Sequence, residues 1–175
     1  METGPDALLR IPHLYHFTDA TNLPSIRRLG GLFSTARLRE MEEAFCAGGD
    51  DDSLSLDSRC GMDGYVHLCF ATRHPMAGRI KQRKPDADLT YLRIDRAILY
   101  QPGVMFATAV GYANDAETVT LREAVERELI DFRALYMWTD WNDPEAQSKR
   151  RSAELCEILI PDYVDMTFIR NFPNG

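Results

Sequence analysis

Leu14-Tyr15-His16-Phe17-Thr18, then Asn22-Leu23-Pro24-Ser25-Ile26 and Gly30-Gly31-Leu32-Phe33-Ser34, is the stretch whose reading decides the fold. Residues 14–17 are aromatic-rich and read as a short strand. Residues 18–22 carry short hydroxyl, carboxylate and amide side chains that bond the local backbone, so they read as a turn and helix cap. Residues 23–29 read as a helix. Pro24 suits its first turn, where a missing N–H leaves no bond unmade, and Gly30-Gly31 ends it.

Working outward, residues 35–46 fit a helix with Leu38, Met41 and Phe45 on one face. Residues 47–64 are rich in Gly, Asp and Ser and read as a loop, long enough to be functional or disordered. Residues 65–70 read as a strand, Pro75 opens a helix to about residue 82, and residues 89–94 alternate as a strand. Residues 104–110 read as a further strand. One or two helices follow in 116–138, on the spacing of Leu121, Val125, Leu129 and Phe132. Residues 138–152 read as a polar loop with a basic end, 155–160 as a strand stopped by Pro161, and 166–169 as a last strand. Strands flanked by short helices without regular alternation predict an α+β fold. With no repeat or linker, residues 1–175 read as a single domain, with 1–12 as a loose N-terminus.

The hydrophobic content of 45% suffices for a core, and no apolar run reaches the length of a membrane span. Residues 1–10 carry Glu2 and Asp6 rather than a basic, then apolar leader, so a cytoplasmic protein without membrane partners is expected. The net charge of −7 argues against indiscriminate nucleic-acid binding. Charge is uneven, though. Asp50-Asp51-Asp52 contrasts with Arg79, Lys81, Arg83, Lys84 and Lys149-Arg150-Arg151, which leaves room for a locally basic groove. Cys46, Cys60, Cys69 and Cys156 have neither zinc-site nor disulfide-framework spacing, so no metal is expected.

The opening segment resembles that of the DarT family, with its Y-H-[FI]-T strand followed by N-L-P-S-I and G-L-x-S. Tyr65-Val66-His67-Leu68-Cys69-Phe70 with Arg73-His74-Pro75-Met76 resembles that family's Y-V-P-F-Y-F and R-x-P-M blocks. Residues 150–161 resemble its terminal block, a basic stretch feeding a strand of the form A-E-x-L-V-P. The resemblance covers about residues 12–170. It implies an ADP-ribosyltransferase fold, two small, mainly antiparallel sheets around an NAD cleft with flanking helices. It further implies transfer of ADP-ribose from NAD to a base in single-stranded DNA, typically thymine, by a bacterial toxin countered by a macrodomain antitoxin. The same fold acting on RNA, guanine or protein, or a degenerate member that only binds NAD or nucleic acid, stands as the alternative.

Breaking the nicotinamide glycosidic bond creates an oxocarbenium-like centre, which calls for a carboxylate that steadies positive charge and takes a proton from the accepting base. Glu154 and Glu157 compete for that role. Glu157 precedes Ile158-Leu159-Ile160-Pro161 in the family's register, whereas Glu154 follows Ala153 as in its A-E dipeptide, so the register favours Glu157. The resemblance assigns His16, Thr18 and Asn22 to NAD, and the helix end near Leu23 suits phosphate. An arginine between the first two blocks should grip the diphosphate, both as binding and catalytic group. Arg59 is the first choice, with Arg37 and Arg39 behind it, although this segment is short and acidic where relatives are arginine-rich. Arg73 and Met76 would line the substrate side. Lys149, Arg150 and Arg151 would draw a phosphate backbone, with Tyr136, Trp138 and Trp141 nearby to stack bases. His13, His67 and His74 read as structural.

Overall fold

The computed structural model describes residues 8–46, 61–109 and 116–173. The opening segment folds as its residues dictate. Strand β1 (His13–Asp19) runs into a single 3-10 turn whose cap is Asp19, its carboxylate accepting from the Thr21 amide. Helix α1 (Leu23–Leu29) follows, with Pro24 in its first turn and Gly30 closing it at φ 79°, the left-handed region that glycine enters without strain. The next residues form a short strand, β2 (Gly31–Phe33), where the sequence suggested none.

Helix α2 (Thr35–Glu40) is capped by Ser34 and is shorter than the predicted 35–46. Strand β3 (Tyr65–Cys69), helix α3 (Pro75–Arg83) and strand β4 (Leu89–Asp95) lie close to their predicted bounds. Strands β5 (Met105–Ala107) and β6 (Thr118–Thr120) pair, and helix α4 (Leu121–Glu126) starts in a reciprocal Thr120–Glu123 capping box. Helix α5 (Phe132–Tyr136) and helix α6 (Pro144–Glu154) precede strand β7 (Glu157–Pro161) and strand β8 (Tyr163–Asp165). Three expectations fail here. Residues 118–120, expected to be helical, form β6, because they pair with β5. The polar stretch read as a loop is mostly α6, and residues 166–169 form a 3-10 turn with one bridge from Ile169 to Ile94 rather than a strand.

Every strand pairing is antiparallel. One sheet has the order β4-β1-β3-β7-β5-β6, and a smaller sheet joins β2 to β8. Asp162 is the corner between them. At φ 65° its N–H donates to the Gly64 carbonyl and its carbonyl accepts from Ser34, so the chain leaves β7 and enters the small sheet in one residue. β1 pairs with β4 along its whole length but with β3 only at Tyr15–Cys69. The large sheet is therefore two halves joined at a single position, and they separate beyond it. Leu14, Leu68, Leu92, Ile94, Ile158, Ile160 and Phe106 are fully buried across both halves. Each such burial contributes roughly 1.5–3 kcal/mol, so the framework around the separation is stiff.

Candidate active site

Glu157 opens β7 beside Cys69 on one neighbour and Ala107 on the other, at the point where the sheet halves join. It is only 6% exposed, which an unpartnered carboxylate would not tolerate. Two imidazoles meet it. His67 Nδ1 lies 2.9 Å from Oε2, and His74 Nε2 lies 3.6 Å from Oε1, beyond hydrogen-bond reach. His67, two residues from Cys69 on β3, shares the face on which Glu157 stands. His74 is buried against Phe17, and neither ring nitrogen has a hydrogen-bond partner. Burial holds its pKa below the ordinary imidazole value, although Glu157 pulls the other way.

Two thiols flank the carboxylate. Burial first, and then Glu157, pushes both Cys69 and Cys156 up to about 12. They act as buried apolar side chains with weak S–H donors to the Tyr15 and Thr108 carbonyls. Among the described residues, no group of His, Cys, Asp and Glu is placed to hold a metal.

His16 bridges the separated halves. Its Nδ1–H donates to the His67 carbonyl at 3.0 Å, which leaves Nε2 as an acceptor. Burial keeps the ring's pKa low, hence neutral near pH 7. The same side chain lines a cleft of about 120 Å³ with Thr18, Asn22, Leu32 and Phe33. Three residues assigned to the donor nucleotide thus share one cleft, and the path His16–His67–Glu157 connects it to the carboxylate. Asn22 is occupied differently from Thr18. Its amide donates to Thr18 Oγ1 and the Cys46 carbonyl while accepting from the Cys46 N–H, so it secures the cleft wall.

Glu154 is not on a strand with Glu157. It ends α6, and Arg150 Nε binds it at 2.7 Å. The Arg150 guanidinium also holds the Ala134 and Leu135 carbonyls at 2.7 Å each, so it fastens α6 to α5 and is not free for phosphate. Lys149 pairs with Glu145, and Arg151 is exposed with one contact to Gln147. Arg73 is exposed and Met76 half-buried at the start of α3. Arg37 pairs with Glu40, Arg39 with Asp63, and Arg59 lies outside the described residues. Trp141 is about half exposed, and Trp138, 83% exposed, lines a cleft with Asp131, Asp140 and Asp143.

A family profile described as "ssDNA thymidine ADP-ribosyltransferase, DarT" matches residues 15–172. The chain belongs to the DarT family. DarT enzymes are NAD-dependent ADP-ribosyltransferases acting on single-stranded DNA, so NAD is the donor and DNA the acceptor. A solved structure of Thermus sp. 2.9 DarT in complex with ADP-ribosylated ssDNA is 18% identical with a TM-score of 0.68, over 96% of this chain and 81% of that one. Thermosipho africanus DarTG in complex with ADP-ribose is 20% identical with a TM-score of 0.68, over 90% of this chain and 42% of that one. The same Thermus protein with NAD+ gives 18% and 0.64, over 91% and 80%. At such identities the likeness is one of fold, and it bears out the expected DarT architecture. No curated protein matches the chain.

Proposed function

We propose that Glu157 is the carboxylate through which this DarT chain transfers ADP-ribose to thymidine. Its burial at the mouth of the split sheet, joined through His67 to His16 in the cleft, is the observation that carries this reading. Thymidine has one ring N–H, so the stoichiometry is fixed. The nicotinamide–ribose bond breaks with its electron pair on nicotinamide, the base nitrogen bonds to the anomeric carbon, and its proton passes to Glu157. The neutral His16 ring and Thr18 hold the donor nucleotide from the cleft, Asn22 fixes the wall, and Arg59 grips the diphosphate. Arg73 and Met76 line the acceptor side. Lys149 and Arg151, on exposed parts of α6, draw the DNA backbone. The family's DNA-modifying chemistry, with a DarTG protein among the structural neighbours, supports a cytoplasmic toxin held in check by a macrodomain antitoxin.

The test is incubation of the whole protein with labelled NAD and thymidine-containing single-stranded DNA, beside RNA and thymidine-free DNA. Glu157→Ala is expected to lower transfer by about 10²–10⁴-fold, the range typical of a proton-accepting group. Transfer at the wild-type rate in Glu157→Ala would overturn the assignment.

A further inference from the structure

The hydrogen bonds of His67 fix a proton. Nε2 lies 3.1 Å from the Met62 carbonyl oxygen, and Nδ1 lies 2.9 Å from Glu157 Oε2. A carbonyl can only accept, so Nε2 must carry hydrogen. Between Nδ1 and Oε2, one partner must then carry a proton as well. With both bare, two lone pairs would oppose each other against a buried carboxylate, where an unmade bond is most costly.

We infer that His67 and Glu157 hold one proton in common, and that His67 is the positioning residue that leaves Oε1 of Glu157 as the oxygen serving the reaction. This inference rests on the reading of Glu157 given above. Oε1 is suited to the role because His74 Nε2, at 3.6 Å, does not bond it, whereas Oε2 is held by His67. In the transfer, Oε1 takes the base proton while Oε2 stays bound to the shared one, so the pair goes from one proton to two.

Among the described residues, the groups around the pair do not compete for that proton near neutrality. His16, from β1, and His74, from the turn before α3, are both held low by burial. The Cys69 and Cys156 thiols are pushed up to about 12. Glu154, at the end of α6, is paired with Arg150, and Asp63, in the turn before β3, with Arg39. Loss of the shared proton from the His67–Glu157 pair is accordingly the event that the pH profile of activity is expected to read.

The test compares His67→Ala with His67→Asn in the whole protein, using NAD and thymidine-containing DNA. Asparagine puts its amide nitrogen where Nδ1 stands, donates to Oε2 and does not titrate. His67→Ala is expected to lower kcat about 10- to 100-fold, the loss of one charge-assisted bond, with KM for NAD within about threefold. His67→Asn should recover kcat to within about fivefold of wild type and lack its alkaline limb. A kcat for His67→Ala within about twofold of wild type overturns the positioning role, and an unchanged alkaline limb in His67→Asn overturns the shared proton. Should either variant fold poorly, imidazole ¹⁵N shifts of the wild-type protein decide. A bare Nδ1 on His67 beside an ionised Glu157 carboxylate, read from its ¹³C shift, at neutral pH refutes the inference, and a proton on Nδ1 or on Oε2 supports it. Activity in Glu157→Ala would sink the assignment of Glu157 yet leave that ¹⁵N measurement intact, so the two failures are distinguishable.

Discussion

Replacing Arg150 by alanine should cost folding stability rather than DNA affinity. The guanidinium makes three bonds of 2.7 Å, one to the Glu154 carboxylate and two to the Ala134 and Leu135 carbonyls. Those carbonyls belong to α5, whose terminal C=O groups have no partner within the helix. Removing Arg150 leaves them unpaired and strips a carboxylate, only 10% exposed, of its counter-charge. Losing one partner of a fully buried pair typically costs about 3–5 kcal/mol. Arg150 is itself 19% exposed, so water partly compensates, and about 2–4 kcal/mol is expected. In a domain of this length that lowers Tm by about 5–15 °C. Urea unfolding followed by far-UV circular dichroism measures the loss, and a salt series of DNA binding measures the alternative. In a Glu154→Ala background the same substitution should cost about 1–2 kcal/mol less, because no carboxylate is orphaned. Arg151→Ala should change stability by less than about 0.5 kcal/mol while lowering the salt slope of DNA binding by about one. A stability loss below about 1 kcal/mol in Arg150→Ala, with a flattened salt slope, would refute the fastening role and return Arg150 to the DNA surface.

Gly31→Ala should unfold the small sheet, since an added Cβ would meet the Val164 carbonyl oxygen at 2.2 Å in the backbone of β8. A destabilisation of about 2–4 kcal/mol is expected in urea titration, and a neutral effect would contradict the β2–β8 pairing. Stability should also fall on mild acidification. His74 is held below the ordinary 6.5 in the folded chain, so the unfolded chain takes up the proton first. Its contribution is complete above pH 6.5 and is lost as pH falls from there toward the lowered folded value, by at most about 1.4 kcal/mol per pH unit. His74→Phe, which keeps an aromatic ring against Phe17, should flatten that slope; an unchanged slope from pH 7 to 5 would rule out this source.

The parts of the fold legible in sequence were those set by local chemistry. The β1 strand, the Pro24 entry to α1 and the Gly30 stop need only their own neighbours. Strands β2 and β8 were not legible, because three residues carry no periodicity and Gly31 is specified by a backbone far along the chain. Helix α6 was hidden by its polarity, with Ala146 and Ala153 almost its only apolar residues. Its signals were nonetheless present. Asp143 caps it, Pro144 opens it, and Lys149 stands four residues after Glu145 to form a pair across one turn. Reading those cues would also have separated Glu154 from Glu157, since a helix that ends at one cannot share a strand with the other.

The candidate site divides along the same line. Glu157 and His16 could be picked out from motif order, because each sits in a block whose neighbours announce it. His67 could not, for its importance is a 2.9 Å contact across ninety residues of chain, and a histidine inside an apolar strand looks like core. One physical argument nevertheless points to such a partner before any coordinates exist. If the residue opening a buried strand is a glutamate, its burial must be answered by a donor from an adjacent strand on the same face. β3 offers tyrosine, histidine and cysteine on that face, and only histidine can bring a proton near neutral pH. The demand comes from Glu157, the supply is narrowed by alternation along β3, and what remained for the structure was the register that brings Cys69 opposite Glu157 and thereby His67 within reach.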